Sequence, residues 1–481
     1  MNYRIIVYYV GSIFKIIGAF LLIPLVTSLF YREWNVALCF LYTGLIFEVL
    51  GFLSTFKAPK NRKVGSKEGL IVVGISWVLI SIVGALPFTM AGTTNFYDAI
   101  LETVSGFTTT GATIFNDVEI LPKGILMWRS LTHWLGGMGI LVFLLAVIPS
   151  SDGSVFQFMK FEAPGPQVGK LVSKVRHSAA ISYFIYLGLT VMQMIFLFCG
   201  GMSFFEGVNI AFSTAGTGGF AVLNSSAGDY SVYNKIVITV FMLIFSINFN
   251  VYYLIVIGKI STALRNEEFV SYLIYIVVCS FAVAFSIMSA LGSFGEALLE
   301  SVFAVASVAS TTGFTTTDYA LWSETAKGIL TVVYLVGACA GSTGGGLKFS
   351  RLIVTIKYAF VSLISSIRPN NVYLIKLNGK TLSRQETEGI TSYFLLFVLV
   401  IVLSVILLCL FGNTFDVSFY SVLAMFNNIG PCLSSGVGAT SSYASFNWAS
   451  KLVMILDMLI GRLEIFPILL LFAPQSWSKR F

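Results

Sequence analysis

Charge is the property this sequence has least of. Only 11% of its 481 residues are Asp, Glu, Lys or Arg, against about 25% in a soluble domain, whose surface must meet water on all sides. The shortage excludes a single soluble domain and a disordered chain. Histidine occurs twice, at His133 and His177, too far apart to suggest a metal site. The six cysteines (Cys39, Cys199, Cys279, Cys339, Cys409 and Cys432) stand singly in apolar stretches. With no CxxC spacing and no Cys/His cluster, neither a disulfide framework nor a zinc site is indicated. No basic run interleaved with aromatics occurs outside the hydrophobic segments, so nucleic acid is not an expected partner. The net charge of +7 (29 Lys+Arg, 22 Asp+Glu) instead fits the excess of cations that cytoplasmic loops of membrane proteins collect.

What is abundant is apolar: 57% hydrophobic and 15% aromatic residues, with a mean hydropathy of +0.88. Crossing ~30 Å of hydrocarbon takes roughly 20 such residues. Stretches of that length run near 5–30, 34–56, 69–91, 124–148, 178–200, 233–258, 268–291, 327–360, 389–412 and 449–473. The expectation is an all-α polytopic membrane protein with ten spans, the first retained because no small-residue cleavage site ends it. Connections 57–67 (Lys57, Lys60, Arg62, Lys63, Lys67), 160–176 (Lys160, Lys170, Lys174, Arg176) and 368–384 (Arg368, Lys376, Lys380, Arg384) are basic. They place those loops and both termini in the cytoplasm.

The opposite connections repeat. Each holds an apolar run too short to span, then a Thr/Gly- or Asn/Gly-rich stretch: Thr108-Thr109-Thr110-Gly111-Ala112, Thr217-Gly218-Gly219-Phe220, Thr311-Thr312-Gly313-Phe314 and Asn427-Asn428-Ile429-Gly430-Pro431. An acidic residue opens each run (Asp98, Glu206, Glu300, Asp416), 13 residues before Gly111, Gly219 and Gly313 and 14 before Gly430. This register favours Gly219 over Gly216 in the second repeat. The chain therefore reads as span, half-membrane helix, glycine loop, span, four times over, behind two extra spans. Non-helical backbone at membrane depth must be buried in protein or line a wet cavity. Four such loops on a common axis satisfy this and present rings of carbonyls that replace an ion's hydration shell. Glycine supplies the φ values that aim those carbonyls, and each half-helix would turn a C-terminal partial charge of about −0.5 to the axis. The product is a cation-selective pore.

These residues, with Val104-Ser105-Gly106-Phe107 and Trp128-Arg129-Ser130-Leu131-Thr132-His133-Trp134-Leu135-Gly136-Gly137-Met138-Gly139, resemble the bacterial Trk/Ktr potassium-uptake family, TrkH/TrkG type, over nearly the whole chain. The resemblance implies four tandem M1–pore helix–filter loop–M2 repeats around a pseudo-fourfold pore. It divides the chain at 1–67 (the extra pair), 68–150, 151–260, 261–370 and 371–481. It implies K+ held at Gly111, Gly219, Gly313 and Gly430 with the residues before them, Thr110, Gly218, Thr312 and Ile429. It further implies a homodimer in a bacterial inner membrane and a cytoplasmic nucleotide-binding regulatory partner of the TrkA kind. K+ is then the transported ion and no organic cofactor is expected. One departure stands out. Cys432 occupies a position where the family usually has glycine, and a Cβ there is expected to alter the outer filter mouth.

The eighth long segment is interrupted by Gly337-Ala338-Cys339-Ala340-Gly341-Ser342-Thr343-Gly344-Gly345-Gly346. Glycines this dense break a helix, each costing about 1 kcal/mol relative to Ala. The break lies at mid-membrane depth, where it either kinks a packed helix or obstructs the pore; the resemblance favours a gating loop at Gly344, Gly345 and Gly346. Lys348 is then a cytoplasmic-edge cation or a charge facing the pore. Arg462, 14 residues past Trp448, falls deep in the last span. It either snorkels to the inner surface, helped by Glu464, or places a positive charge beneath the filter, as the resemblance implies. Asp457 reads as a structural hydrogen-bond partner. Asp117, Asp229 and Asp318 are solvated loop charges or a cation-gathering rim. A cation-coupled symporter is the nearest rival function; it would need midplane carboxylates, and only Asp457 is well placed. A membrane enzyme would need an Asp, His or Arg cluster that the sequence does not offer.

Overall fold

The computed structural model describes residues 2–57, 59, 65–139, 172–371, 373–434, 436–438 and 440–473. Lys60, Arg62, Lys63, Lys160 and Lys170, which carry much of the orientation argument, lie outside the described residues, as do 140–148 of the fourth apolar stretch. The described chain is helical apart from one two-stranded hairpin. In order it runs α1 (Tyr3–Phe20), α2 (Leu22–Phe30), α3 (Trp34–Thr55), α4 (Ser66–Gly84), α5 (Leu86–Met90), α6 (Phe96–Phe107), α7 (Lys123–Gly137), α8 (Val172–Cys199), α9 (Phe204–Ala215) and α10 (Val232–Ser246). It continues through α11 (Phe249–Val256), α12 (Ile260–Leu264), α13 (Glu267–Leu291), α14 (Phe294–Ala309), α15 (Glu324–Leu335), α16 (Phe349–Ile367), β1 (Lys376–Leu377), β2 (Lys380–Thr381), α17 (Arg384–Leu410), α18 (Phe415–Phe426), α19 (Trp448–Leu463) and α20 (Ile465–Phe472).

Among the described residues seven helices are long and apolar enough to cross a membrane, or eight if the pair α10 and α11, bent by 90°, is one span. Seven of the ten apolar stretches contribute one of these helices, 327–360 through α16 alone; the other three are 233–258, which is the bent pair, 449–473 and 124–148. Stretch 327–360 divides into α15 and α16 around the irregular segment 336–348. Stretch 449–473 breaks at Glu464, whose φ of 64° no helix accommodates. Stretch 124–148 begins with the 15-residue α7 and leaves the described residues at 140. Hydropathy measures what a segment is dissolved in, not whether its backbone is continuous.

Four short helices, α6, α9, α14 and α18, each follow a long apolar one and each end four residues before a key glycine. Asp98, Glu206 and Asp416 lie in the first turns of α6, α9 and α18, where negative charge meets the helix dipole. Repeat three departs from the expected register. α14 starts at Phe294, one turn earlier than its counterparts, so Glu296 occupies the first turn and Glu300 lies inside the helix. There the Glu300 carboxylate accepts from Thr316 Oγ1 and sits 3.9 Å from Lys235 Nζ. The two N-terminal helices pack through glycine: a Cβ on Gly51 would lie 2.9 Å from the Gly11 carbonyl oxygen. Small residues let membrane helices approach at that distance.

Candidate functional site

The four short helices terminate in the same way. Thr109 N–H donates to Gly106 and Thr110 N–H to Ser105; the equivalent pairs are Thr217 to Thr214 and Gly218 to Ser213, Thr311 to Val308 and Thr312 to Ser307, Asn428 to Met425 and Ile429 to Ala424. This paired pattern normally ends on glycine in the left-handed region. Here Thr109, Thr217, Thr311 and Asn428 hold it, with φ of 55°, 53°, 58° and 54°. A β-branched residue with positive φ is rare, and three in equivalent places mark strain that the surrounding structure sustains. The sequence carries a trace of this feature, a Thr or Asn two residues before each glycine, but nothing local to it announces the strained backbone.

Two residues on, Gly111, Gly219, Gly313 and Gly430 have φ of 78°, 79°, 84° and 90°. Gly216 instead caps α9 with φ of −70°, which fixes the second register at Gly219. The four glycines touch in cyclic order. A Cβ on Gly111 would lie 2.0 Å from the Gly218 oxygen, one on Gly219 2.1 Å from Thr312, one on Gly313 1.9 Å from Ile429, and one on Gly430 2.4 Å from Thr110. Each glycine thus lies against the carbonyl of the residue preceding the next glycine, and the fourth closes on the first. All four line one cavity, with Thr315, Thr440 and Tyr443 among its other walls. The Gly430 carbonyl also accepts from Tyr443 Oη at 2.7 Å. Cys432 sits behind the cavity wall. Its thiol is fully buried 3.8 Å from Ser421 Oγ and in hydrogen-bonding contact with Tyr443, the residue that holds the Gly430 carbonyl, so any effect of its side chain on the mouth passes through Tyr443. Beside the cavity, Asp117 Oδ1 accepts from Asn224 Nδ2 at 2.8 Å, which holds this half-buried carboxyl below its usual pKa.

Segment 336–348 packs against the C-terminal ends of the third and fourth short helices. A Cβ on Gly344 would lie 3.1 Å from Ser310 O, and one on Gly345 2.7 Å from Asn428 Cβ. Gly345 N–H donates to Thr311 Oγ1 at 2.8 Å. Lys348 is 8% exposed and its ammonium donates to the Gly344 carbonyl. Arg462 reaches across the site, donating to Thr343 O at 2.6 Å and to Gly136 O and Gly137 O at 2.6 and 2.8 Å. The Glu464 carboxylate pairs with Arg351 at 2.7 Å. The base of the segment closes on itself through Gly337 N–H to Leu347 O and Phe349 N–H to Ala338 O.

Three buried groups here escape a reading of the sequence or gain their partners only in the fold. Glu268, 3% exposed, accepts through one oxygen from Ala340 N–H (2.7 Å) and Ser350 N–H (3.1 Å), holding both limbs of the segment. Arg129 and Glu102 form an ion pair at 2.7 Å, 2% and 0% exposed, and Glu102 also accepts from Ile114 N–H. A pair this dry persists only because its oxygens are met. Asp457, also buried, accepts from Ser404 Oγ at 2.7 Å.

A family model described as TrkH, cation transport protein, matches residues 38–289 and 286–480. The chain belongs to the TrkH family. It is 33% identical to the Trk system potassium uptake protein TrkH of Salmonella typhimurium, each chain covered in full. It is 30% identical to the Trk system potassium uptake protein TrkG of Escherichia coli over 99% of both. The crystal structure of the potassium transporter TrkH from Vibrio parahaemolyticus superposes with a TM-score of 0.89 at 29% identity, covering 99% of this chain and 100% of that one. TrkH proteins are membrane transporters, not enzymes, and the all-α, multi-pass expectation agrees with the family.

Proposed function

We propose that this chain is the potassium-translocating subunit of a Trk-type uptake system in a bacterial cytoplasmic membrane. The observation that carries the reading is the cyclic contact of four glycines, each against the next loop's carbonyl. Backbone oxygens in that arrangement can replace the hydration shell of a monovalent cation, here the carbonyls of Thr110, Gly111, Gly218, Gly219, Thr312, Gly313, Ile429 and Gly430. Four helix C-termini at the same level add negative potential. The names of the relatives supply the ion, potassium. On this reading residues 68–150, 151–260, 261–370 and 371–481 are the four pore repeats, both termini are cytoplasmic, and the chain works as a homodimer with a TrkA-like nucleotide-binding subunit. The test is growth rescue of an uptake-deficient bacterium at micromolar K+, with and without such a partner. In vesicles, uptake that follows the K+ gradient and membrane potential alone is expected; uptake that an imposed proton or Na+ gradient can drive would make the chain a symporter.

Segment 336–348 is the gate in this proposal, held shut by Arg462, Lys348 and Thr311. Deleting Gly344–Gly346 removes its contacts with Ser310, Asn427 and Asn428 and should raise K+ flux several-fold in a vesicle assay; equal flux would count the segment out as a gate. Glu268 is its anchor. Glu268→Ala leaves two buried amides unmet, roughly 1–3 kcal/mol each, and should raise basal K+ efflux, whereas Glu268→Gln keeps an acceptor and should stay near wild type. Efflux from the alanine variant no faster than wild type would show that the anchor does not hold the gate.

A further inference from the structure

The second hairpin differs from the others at the residue before its glycine. Repeats one, three and four carry Thr110, Thr312 and Ile429 there; repeat two carries Gly218. In repeats one and three the threonine is tied to its neighbour two residues back, Thr108 Oγ1 to Thr110 Oγ1 at 2.8 Å and Ser310 Oγ to Thr312 Oγ1 at 2.7 Å. Gly218 has no side chain to make that bond, and no room for one. A Cβ at 218 would lie 2.2 Å from His133 Cγ and 2.3 Å from its Nδ1. The space a threonine fills elsewhere is occupied by an imidazole from α7, which belongs to the preceding repeat.

That imidazole is completely buried and is met at both nitrogens. Nδ1 lies 2.8 Å from Gly106 O, and Nε2 lies 3.2 Å from Phe220 N. A carbonyl can only accept and a backbone amide can only donate. The geometry therefore fixes the tautomer: Nδ1–H donates to Gly106, and the Nε2 lone pair accepts from Phe220. The imidazole ring rests on the Phe220 ring with centroids 4.2 Å apart. One turn earlier on α7, Arg129 places its guanidinium carbon 4.1 Å from the same Phe220 ring and donates to Ala221 O at 3.2 Å.

Phe220 N–H belongs to the same planar peptide unit as the Gly219 carbonyl, and no cis peptide occurs among the described residues. In a trans peptide the N–H and C=O point in opposite directions. Holding the N–H toward His133 therefore turns the Gly219 oxygen away from it, on the side of the cavity that Gly219 and Phe220 line. We infer that His133 is a selectivity-determining positioning residue, which aims the Gly219 carbonyl by accepting the Phe220 amide from behind. The inference rests on the pore reading above and deepens it. It also accounts for Gly218, which yields its side-chain position to the ring.

The test separates the two nitrogens. His133→Gln carries an amide oxygen to about the Nε2 position and can still accept from Phe220. His133→Asn reaches only the Nδ1 position, can donate to Gly106, and leaves the Phe220 amide unmet. Purified wild type and both variants are reconstituted in liposomes, and K+ and Na+ fluxes are measured separately. The glutamine variant should keep the wild-type K+/Na+ ratio, while in the asparagine variant the ratio should fall about tenfold with total cation flux retained. A packing role predicts that both variants behave alike, and equal ratios in the two would overturn the assignment. If neither variant can be purified folded, Gly218→Ala drives a methyl into the ring while leaving both hydrogen-bonding partners present. Its ratio should fall as well, and an unchanged ratio would overturn the assignment. Wild-type protein that passes both cations equally, or neither, would instead reject the pore reading, an outcome distinct from failure of the His133 role.

Discussion

Gly313→Ser is expected to cost most of the discrimination between K+ and Na+, by a factor of roughly ten to one hundred, in protein that still folds. Two effects act together. The residue has φ of 84°, a region where a side chain costs roughly 1–2 kcal/mol. The larger effect is contact: the new Cβ would sit 1.9 Å from the Ile429 oxygen and 2.8 Å from Pro431 Cδ. Neither neighbour is the free end of a flexible chain, so the third or fourth hairpin must move by about an ångström. If these carbonyls coordinate the ion, a displacement of that size changes cavity size and field strength together, which is where selectivity resides. Gly92 provides the control, because its φ is also positive, at 70°, but nothing packs within 4 Å of where a Cβ would stand. Gly92→Ala tests backbone strain alone and should leave the flux ratio unchanged. Equal ratios in wild type and the Gly313 variant would remove the glycine ring from the ion path.

How much of this was legible depended on whether the cause was local. The glycine register was readable because each hairpin carries its own signal, and the 13-residue count selected Gly219 although Gly216 looked the better match by neighbours. The irregular segment 336–348 was readable for the same reason, since glycine density breaks a helix wherever it occurs. Glu300 misled because an acidic residue near a helix start can belong to the first turn or a later one, and only the extra turn of α14 separates the two. The break at Glu464 is carried by one residue in an otherwise apolar run. Pairings across the fold could not be read at all. Arg129 meets Glu102 only once α6 and α7 lie side by side, and His133 meets Gly218 only when α7 reaches the loop after α9. Those contacts make the four hairpins unequal, whereas a repeat search finds what is equal.

Arg462→Ala is the second large effect, and it can separate two ways in which one side chain impedes an ion. As a charge, the guanidinium repels a passing cation; at ~10 Å and an effective permittivity of ~20, that is roughly 2 kcal/mol, worth more than about tenfold in rate. As a latch, it joins Thr343 of the irregular segment to Gly136 and Gly137 at the end of α7 through three hydrogen bonds. Alanine removes both, so K+ flux in vesicles should rise about tenfold or more. Lysine separates them, because it keeps the charge but loses the planar fork that spans carbonyls on two elements at once. Flux in Arg462→Lys close to wild type would assign the barrier to charge, and flux close to the alanine variant would assign it to the latch. The geometry favours a substantial latch component, since the guanidinium makes three hydrogen bonds to backbone oxygens on two elements. Arg462→Lys is therefore expected to lie between the two, and an alanine variant no faster than wild type would rule out both roles.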